Sequence, residues 1–137
     1  SARPTIIVID THILISSIGF GGNSIIILSL FLDNKVQAFT SQVLLAELEE
    51  VISKKFPDLS FERSLIRKRI RKRFTIVQPK KALHIVRDPD DNRVLEAAIE
   101  GKCTFIVTGD WDLLVLKKYK RVRIVSPIDF VDLLKKQ

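Results

Sequence analysis

Two apolar stretches of the chain each run without interruption towards an aspartate. The run Thr5–Ile9 leads directly into Asp10, and the run Thr104–Val107 leads through Thr108-Gly109 into Asp110. Runs of this length that are rich in β-branched residues predict strands buried on both faces, as in a parallel sheet. Ligands of open α/β sheets collect outside the carboxyl ends of the strands. The sequence therefore predicts an acidic crevice at one edge of a parallel sheet.

The rest of the chain alternates short β-favouring segments with helical patterns. Further strands are predicted at Gln37–Thr40, Phe74–Val77 and Val122–Val125. Helices are predicted after Asp10, at Ser24–Leu32, from Thr40 or Ser41 to Ser53, at Ser60–Arg73, from Asp88 to Glu100 with a stop at Gly101, at Trp111–Lys118 and from Pro127. This order predicts a single α/β domain over residues 1–137, with a central parallel sheet of about four or five strands covered by helices on both sides.

Positive charge is concentrated in one segment. The net charge of the 137 residues is +7, and the segment from Glu62 to Arg73 alone carries +6. Its basic residues are Arg63, Arg67, Lys68, Arg69, Arg71, Lys72 and Arg73. Such a patch attracts polyanions, nucleic acid first among them. A solvated helix or a surface for an acidic partner protein is the alternative interpretation.

Membrane and secreted classes are disfavoured by the pattern. The longest apolar run, Ile25–Leu32, is interrupted by Ser29 and is too short to span a bilayer, and the chain opens without a signal-peptide pattern. The single cysteine, Cys103, excludes an internal disulfide. We therefore expect a cytoplasmic protein that does not associate with membranes.

Asp91 stands at the start of a helical stripe of apolar residues. The stripe continues through Val94, Leu95, Ala98 and Ile99, which is the spacing of a core-facing helix. A carboxylate is thus placed on the apolar face, at the end where the helix dipole favours negative charge. The alternative is that Asp91 is only a capping acid at the third position of the helix, paired with Asp88 at the N-cap.

Other acids are placed to join it. Glu47 lies nearest the apolar face of its helix, whereas Glu49 and Glu50 fall on the far side. Asp10 and Asp110 can be simple helix caps, and Asp112 can be a first-turn acid that complements the dipole. Several buried like charges nevertheless need a compensating cation. An oxygen-only site without a Cys or His cluster suits Mg²⁺ or Mn²⁺.

Four segments, taken together, resemble a known family. They are Val8–Thr11 (VIDT), Leu44–Leu48 (LLAEL), Arg87–Asn92 (RDPDDN) and Val107–Asp112 (VTGDWD). In order and spacing they resemble the PIN-domain ribonucleases found as toxins in bacterial and archaeal toxin–antitoxin pairs. The resemblance implies a three-layer α/β/α sandwich that binds Mg²⁺ or Mn²⁺ and hydrolyses RNA to products with 5′-phosphate and 3′-hydroxyl ends. It also implies a homodimer and an inhibitory antitoxin.

Carried over by position, the resemblance implies the catalytic residues. They would be Asp10, Glu47, Asp91 and Asp110, all of them also metal ligands, with Asp112 as a further ligand. Residues expected to contact RNA are Arg63, Arg67, Lys68, Arg71, Lys72 and Arg73 of the basic segment, together with His12 and Trp111. His12 departs from the family, which commonly has Asn or Ser at that position.

Two other function classes are compatible with an α/β chain of this kind. One is a non-catalytic RNA- or protein-binding module that retains the acids. The other is a phospho-acceptor signalling domain, which requires an acid pair at the first strand and a lysine at the end of the last strand. Here Asp10 stands alone, and Val125 is followed by Ser126-Pro127, so that class is disfavoured.

Overall fold

The computed structural model of the protein describes residues 4–19, 34–58, 64–65, 68 and 71–136, with only the backbone for residues 16–19. The strands are β1 (Thr5–Ile9), β2 (Val36–Ser41), β3 (Thr75–Val77), β4 (Phe105–Val107), β5 (Lys118–Tyr119) and β6 (Val122–Val125). The helices are α1 (Thr11–Gly19), α2 (Gln42–Lys55), α3 (Pro89–Glu100), α4 (Trp111–Leu114) and α5 (Pro127–Lys135). Residues 64–65, 68 and 71–73 are also helical.

The strands form one sheet in the order β3-β2-β1-β4-β6-β5. Within the described ranges, the pairs from β3 to β6 are all parallel, and β5 is added antiparallel to β6. The predicted α/β class with a parallel sheet is confirmed. Because β1 pairs with both β2 and β4, it lies inside the sheet, which explains why its sequence is an unbroken apolar run.

Alternate residues of β1 pack into two apolar layers, one on each face of the sheet. Ile7 and Ile9 belong to the layer that contains Phe130 of α5, while Val8 belongs to the layer that contains Leu95 of α3. Successive side chains of a strand point to opposite faces, so this division follows from the pleat. The three-layer arrangement inferred from the resemblance is thereby confirmed. Cys103 is buried in the second of these layers.

Helix α3 ends at Glu100 as predicted, but Gly101 does not adopt the left-handed conformation in which a glycine commonly ends a helix. Gly101 has φ −80°, and the left-handed residue is Lys102 with φ 52°. A Cβ atom at Gly101 would overlap the ring of Phe39. The glycine is therefore required by close packing against β2.

The helix predicted at Trp111–Lys118 is shorter than expected, and this prediction was wrong at its end. Helix α4 stops at Leu114, and Lys117 turns the chain with φ 62°. The following residues pair with β6, and the amide of Ile124 donates to the carbonyl of Lys117 over 2.9 Å. Sheet pairing overrides the local helical pattern.

Some predicted elements lie outside the described residues. They are the helix at Ser24–Leu32 and part of the helix at Ser60–Arg73. Within the described residues, no helix has both the length and the apolar character needed to cross a membrane.

Candidate metal centre

The carboxyl ends of β1 and β4 lie side by side. Ile9 pairs with Val107 in the parallel register, and the amide of Asp10 donates to the carbonyl of Val107 over 2.9 Å. The chain leaves β1 at Asp10 and leaves β4 towards Asp110. The two strand-end aspartates predicted from the sequence are therefore delivered to the same edge of the sheet.

Each oxygen of the buried Asp10 carboxylate has its own partner. Oδ1 accepts from the His12 backbone amide over 3.1 Å, which caps α1, and lies 3.4 Å from His12 Nδ1. Oδ2 accepts the Thr108 hydroxyl over 2.6 Å. The capping interpretation is thus correct for one oxygen of Asp10, while the other oxygen faces β4.

Thr108 connects the two strand ends. Its buried hydroxyl donates to Asp10 and also accepts from the amide of Asp110 over 3.0 Å. The sequence alone indicates no role for Thr108. A threonine at the end of a strand is common, and only the pairing of β1 with β4 reveals its partner.

Three carboxylates converge beside this connection. Asp91, Asp110 and Asp112 each offer an oxygen that lies within 4.8 Å of the other two. Asp91 comes from the first turn of α3, whereas Asp110 caps α4 by accepting from the amide of Asp112 over 2.8 Å. The site therefore draws on two helix starts that meet at one sheet edge. We call these three residues the carboxylate group.

Asp91 lies in surroundings that disfavour a charged carboxyl. It is buried, and its Oδ2 atom has no hydrogen-bond partner. Burial raises the pKa of its carboxyl from 3.8 to about 7, and the charges of Asp110, Asp88 and Asp10 act in the same direction. A buried, unsatisfied carboxylate oxygen among other carboxylates is an arrangement that a bound cation would compensate.

Glu47 lies outside the carboxylate group but shares its electrostatic environment. Partial burial raises the pKa of its carboxyl, and the negative charges of Asp90 and Asp10 raise it further, while His12 opposes them. Glu47 is therefore close enough to Asp10 to sense its charge, on the side predicted from the helical angle.

Asp88 caps α3 by accepting a hydrogen bond from the amide of Asp90 over 2.9 Å, and Asp90 is exposed.

Arg87 forms an ion pair with the carboxylate group. Its Nη2 atom lies 3.1 Å from Oδ1 and 3.3 Å from Oδ2 of Asp112. Arg87 is the first residue of the RDPDDN segment, and the sequence alone indicates no function for it. The contact joins residues that are 25 positions apart, so no local pattern indicates it.

Asn92 holds the loop that precedes α3. Its side-chain oxygen accepts from the amides of Ile85 and Val86 over 2.8 and 3.0 Å, and its Nδ2 donates to the carbonyl of Val86 over 2.9 Å. This role of Asn92 was not predicted from the sequence either. The available signal was an asparagine directly after Asp91, near the start of α3.

The residues expected to contact RNA are exposed wherever the structure describes them. The described members of the basic segment are Lys68, Arg71, Lys72 and Arg73, and all four are exposed. The side chain of His12 is 69% exposed, and Trp111 is 73% exposed. Arg63 and Arg67 lie outside the described residues.

The sequence pattern of the PIN domain family matches residues 6–112 of the chain, which include all the acids described above. The chain belongs to the PIN domain family. This PIN domain is 30% identical over 143 aligned residues to the uncharacterized protein MJ1680 of Methanocaldococcus jannaschii, covering 92% of the chain and 89% of that relative.

This PIN domain is also similar to a chain in the crystal structure of VapBC2 from Rickettsia felis bound to a DNA fragment from their promoter. The TM-score is 0.61 with 18% identity, over 89% of this chain and 98% of that chain. At that identity the similarity concerns the fold. It agrees with the mostly parallel sheet described above.

The donor set of this PIN domain fits a hard divalent cation. The carboxylate group offers oxygen atoms only, and one buried oxygen of Asp91 has no partner in the protein. Mg²⁺ and Mn²⁺ prefer such ligands, whereas Zn²⁺ sites usually contain Cys or His.

Proposed function

We propose that the protein is a metal-dependent ribonuclease that hydrolyses RNA phosphodiester bonds with Mg²⁺ or Mn²⁺. The observation that carries this proposal is the buried Oδ2 of Asp91, which has no hydrogen-bond partner. Asp91 belongs to the carboxylate group, whose three members each offer an oxygen within 4.8 Å of the other two. Without a cation, these charges would repel one another and would also repel a phosphodiester. PIN-domain membership supports nuclease chemistry over other roles for an acidic cluster.

The residues have distinct proposed tasks. Asp91, Asp110 and Asp112 would hold the cation, and Asp10 would complete the site from β1 with Thr108 fixing its orientation. When bound, such an ion activates water and the phosphate as a Lewis acid and neutralises charge that develops in the transition state. Glu47, whose raised pKa follows from partial burial beside other acids, would accept a proton from the attacking water.

The exposed basic residues would guide the RNA backbone to this edge. Lys68, Arg71 and Lys72 are exposed and positively charged, as phosphate contacts require. Trp111 follows Asp110 directly and exposes its ring, so it would stack on a base next to the cleaved bond.

We further propose a toxin-type endoribonuclease that works in the cytoplasm as a homodimer restrained by an antitoxin protein. The fold similarity to a chain of the VapBC2 complex supports the antitoxin. The lone, buried Cys103 supports a reducing compartment. The homodimer rests on the family resemblance alone.

The decisive experiment measures cleavage of an internally labelled RNA with Mn²⁺, with Mg²⁺ and with EDTA. Asp10→Asn and Asp91→Asn should each abolish cleavage, and the products should carry 5′-phosphate and 3′-hydroxyl ends. Asp132→Asn is the matched control, because Asp132 is exposed on α5 outside the carboxylate group. Cleavage that survives EDTA, or both site substitutions, would contradict the proposal. RNA binding without metal-dependent cleavage would instead indicate a non-catalytic RNA-binding module.

A further inference from the structure

The ion pair between Arg87 and Asp112 lies at the edge of the carboxylate group. One nitrogen of the guanidinium contacts both oxygens of Asp112, and Asp112 is one of the three clustered acids. Among the ion pairs of the described residues, this is the one that involves a member of that group. A permanent positive charge thus adjoins the proposed metal centre.

The backbone on both sides of Arg87 is held by α3. The Asn92 side chain accepts from the amide of Val86 over 3.0 Å and donates to its carbonyl over 2.9 Å. On the other side of Arg87, the Asp88 side chain accepts from the amide of Asp90 at the start of α3. Upstream, the amide of Leu83 donates to the buried Glu96 over 2.7 Å. The loop is therefore fastened to the helix in several places.

The side chain of Arg87 contrasts with this fixed backbone, since it is 89% exposed. An exposed arginine–carboxylate pair contributes little to stability, because water competes for both charges. Asp112 is therefore held weakly and can exchange Arg87 for a more highly charged partner. The backbone keeps the guanidinium within reach of the site after such an exchange.

We propose that Arg87 changes partners at this site: it neutralises Asp112 in the metal-free protein and binds the scissile phosphate once a divalent cation has taken the carboxylate. The inference rests on the proposed ribonuclease function. The planar guanidinium offers two parallel donors that match the oxygens of a phosphodiester. In that position Arg87 stabilises the negative charge that grows on those oxygens, which makes it a catalytic residue.

The first half of the test is metal binding without RNA. Arg87→Gln keeps much of the side-chain length but removes the charge that competes for Asp112. We expect Mn²⁺ to bind about two- to five-fold more tightly in calorimetric titration, the range that exposed ion pairs allow. Arg121→Gln is the matched control, because Arg121 is exposed next to the start of β6, at the opposite edge of the sheet.

A double-mutant cycle separates the pair from a general change in charge. In an Asp112→Asn background the competition no longer exists, so adding Arg87→Gln should leave the Mn²⁺ affinity unchanged. The same gain in affinity in both backgrounds would overturn the exchange, because it would reflect only the lost positive charge.

The second half of the test is cleavage at saturating Mn²⁺. Arg87→Gln should lower kcat by about 10²-fold, as the loss of one preorganised donor to the transition state typically does. Arg87→Lys should fall between Arg87→Gln and the wild type, because it retains the charge but loses the planar fork. Thermal unfolding in EDTA should be nearly the same for all of these proteins.

The proposal requires the two measured quantities to change in opposite directions. Tighter Mn²⁺ binding together with a lower kcat supports the exchange, whereas an unchanged or weaker Mn²⁺ affinity, or an unchanged kcat, overturns it. If the wild type itself shows no metal-dependent cleavage, the ribonuclease proposal fails and this inference fails with it. That result differs from an active wild type whose Arg87→Gln variant is equally active.

Discussion

The hydroxyl of Thr108 donates to the Asp10 carboxylate over 2.6 Å and thereby joins the end of β4 to the end of β1. The same oxygen accepts from the amide of Asp110 over 3.0 Å. An uncharged, fully buried side chain thus sets the relation between the acids that follow the two strands. Residues that orient metal ligands in this way often matter nearly as much as the ligands.

We predict that Thr108→Val weakens both the fold and the metal site. The free energy of unfolding should fall by about 1–3 kcal/mol, because the carboxylate and the Asp110 amide lose a buried partner. Mn²⁺ affinity should fall by about tenfold or more. Urea unfolding followed by circular dichroism and calorimetric titration measure the two effects. Thr108→Ser should stay close to the wild type, and Thr104→Val, at an exposed position, should change neither quantity.

Metal affinity should depend on pH through Asp91. Because the pKa of its carboxyl is raised to about 7, a proton must leave Asp91 before a cation binds at lower pH. The apparent Mn²⁺ affinity should therefore rise by about tenfold per pH unit up to pH 7 and then level off. Asp91→Asn should bind more weakly and lose most of this slope. A wild-type affinity that is constant between pH 5 and pH 8 would contradict the assignment.

The stability of the metal-free protein should change with pH in the opposite direction. A raised pKa means that the folded chain holds the proton of Asp91 more tightly than the unfolded chain. This contribution is fully present below the ordinary value of 3.8 and is lost as the pH rises through about 7. In EDTA, wild-type stability relative to Asp91→Asn should thus decline between pH 4 and pH 8. Chemical unfolding of both proteins across that range measures the difference.

Asn92 should prove essential for the loop before α3. Asn92→Ala leaves the amides of Ile85 and Val86 and the carbonyl of Val86 without their side-chain partner. We expect a loss of about 1–3 kcal/mol in the free energy of unfolding. Amide exchange at residues 85 and 86 should accelerate, as NMR can measure residue by residue. Asn92→Asp is the informative comparison, since it keeps the acceptor for both amides and loses only the donor.

The basic segment should account for much of the salt dependence of RNA binding. In an Asp10→Asn background, Lys68→Glu with Lys72→Glu should weaken binding and reduce the slope of log affinity against log salt by about 1 per lost phosphate contact. Both lysines are exposed. Lys135→Glu with Lys136→Glu, at the end of α5, makes the same change in net charge elsewhere. Equal effects from both pairs would argue against a localised RNA path.

The parts of the fold that follow from continuous local patterns could be predicted from the sequence. The apolar runs of β1 and β4 indicated buried parallel strands, and the stripe from Asp91 to Ile99 indicated a core-facing helix. Asp10, Asp91 and Asp110 reach one sheet edge for that reason. The helical angle likewise placed Glu47 on the side where it senses Asp10.

The features that escaped prediction depend on contacts between distant segments. The partner of Thr108 is set by the register between β1 and β4, and the partner of Arg87 is set by the approach of α4 to the loop before α3. The early end of α4 depends on the pairing of β5 with β6. The strict need for Gly101 arises from the ring of Phe39, which lies far away in the sequence.

Three aspartates near the site have a second task, because Asp10, Asp88 and Asp110 each accept a backbone amide at the start of a helix. Asparagine can keep that acceptor while removing the charge, whereas alanine removes both. Amide-substituted chains should therefore retain their shape after losing their chemistry. They would serve as stable, non-cleaving baits for isolating the RNA or protein that this molecule holds in cells.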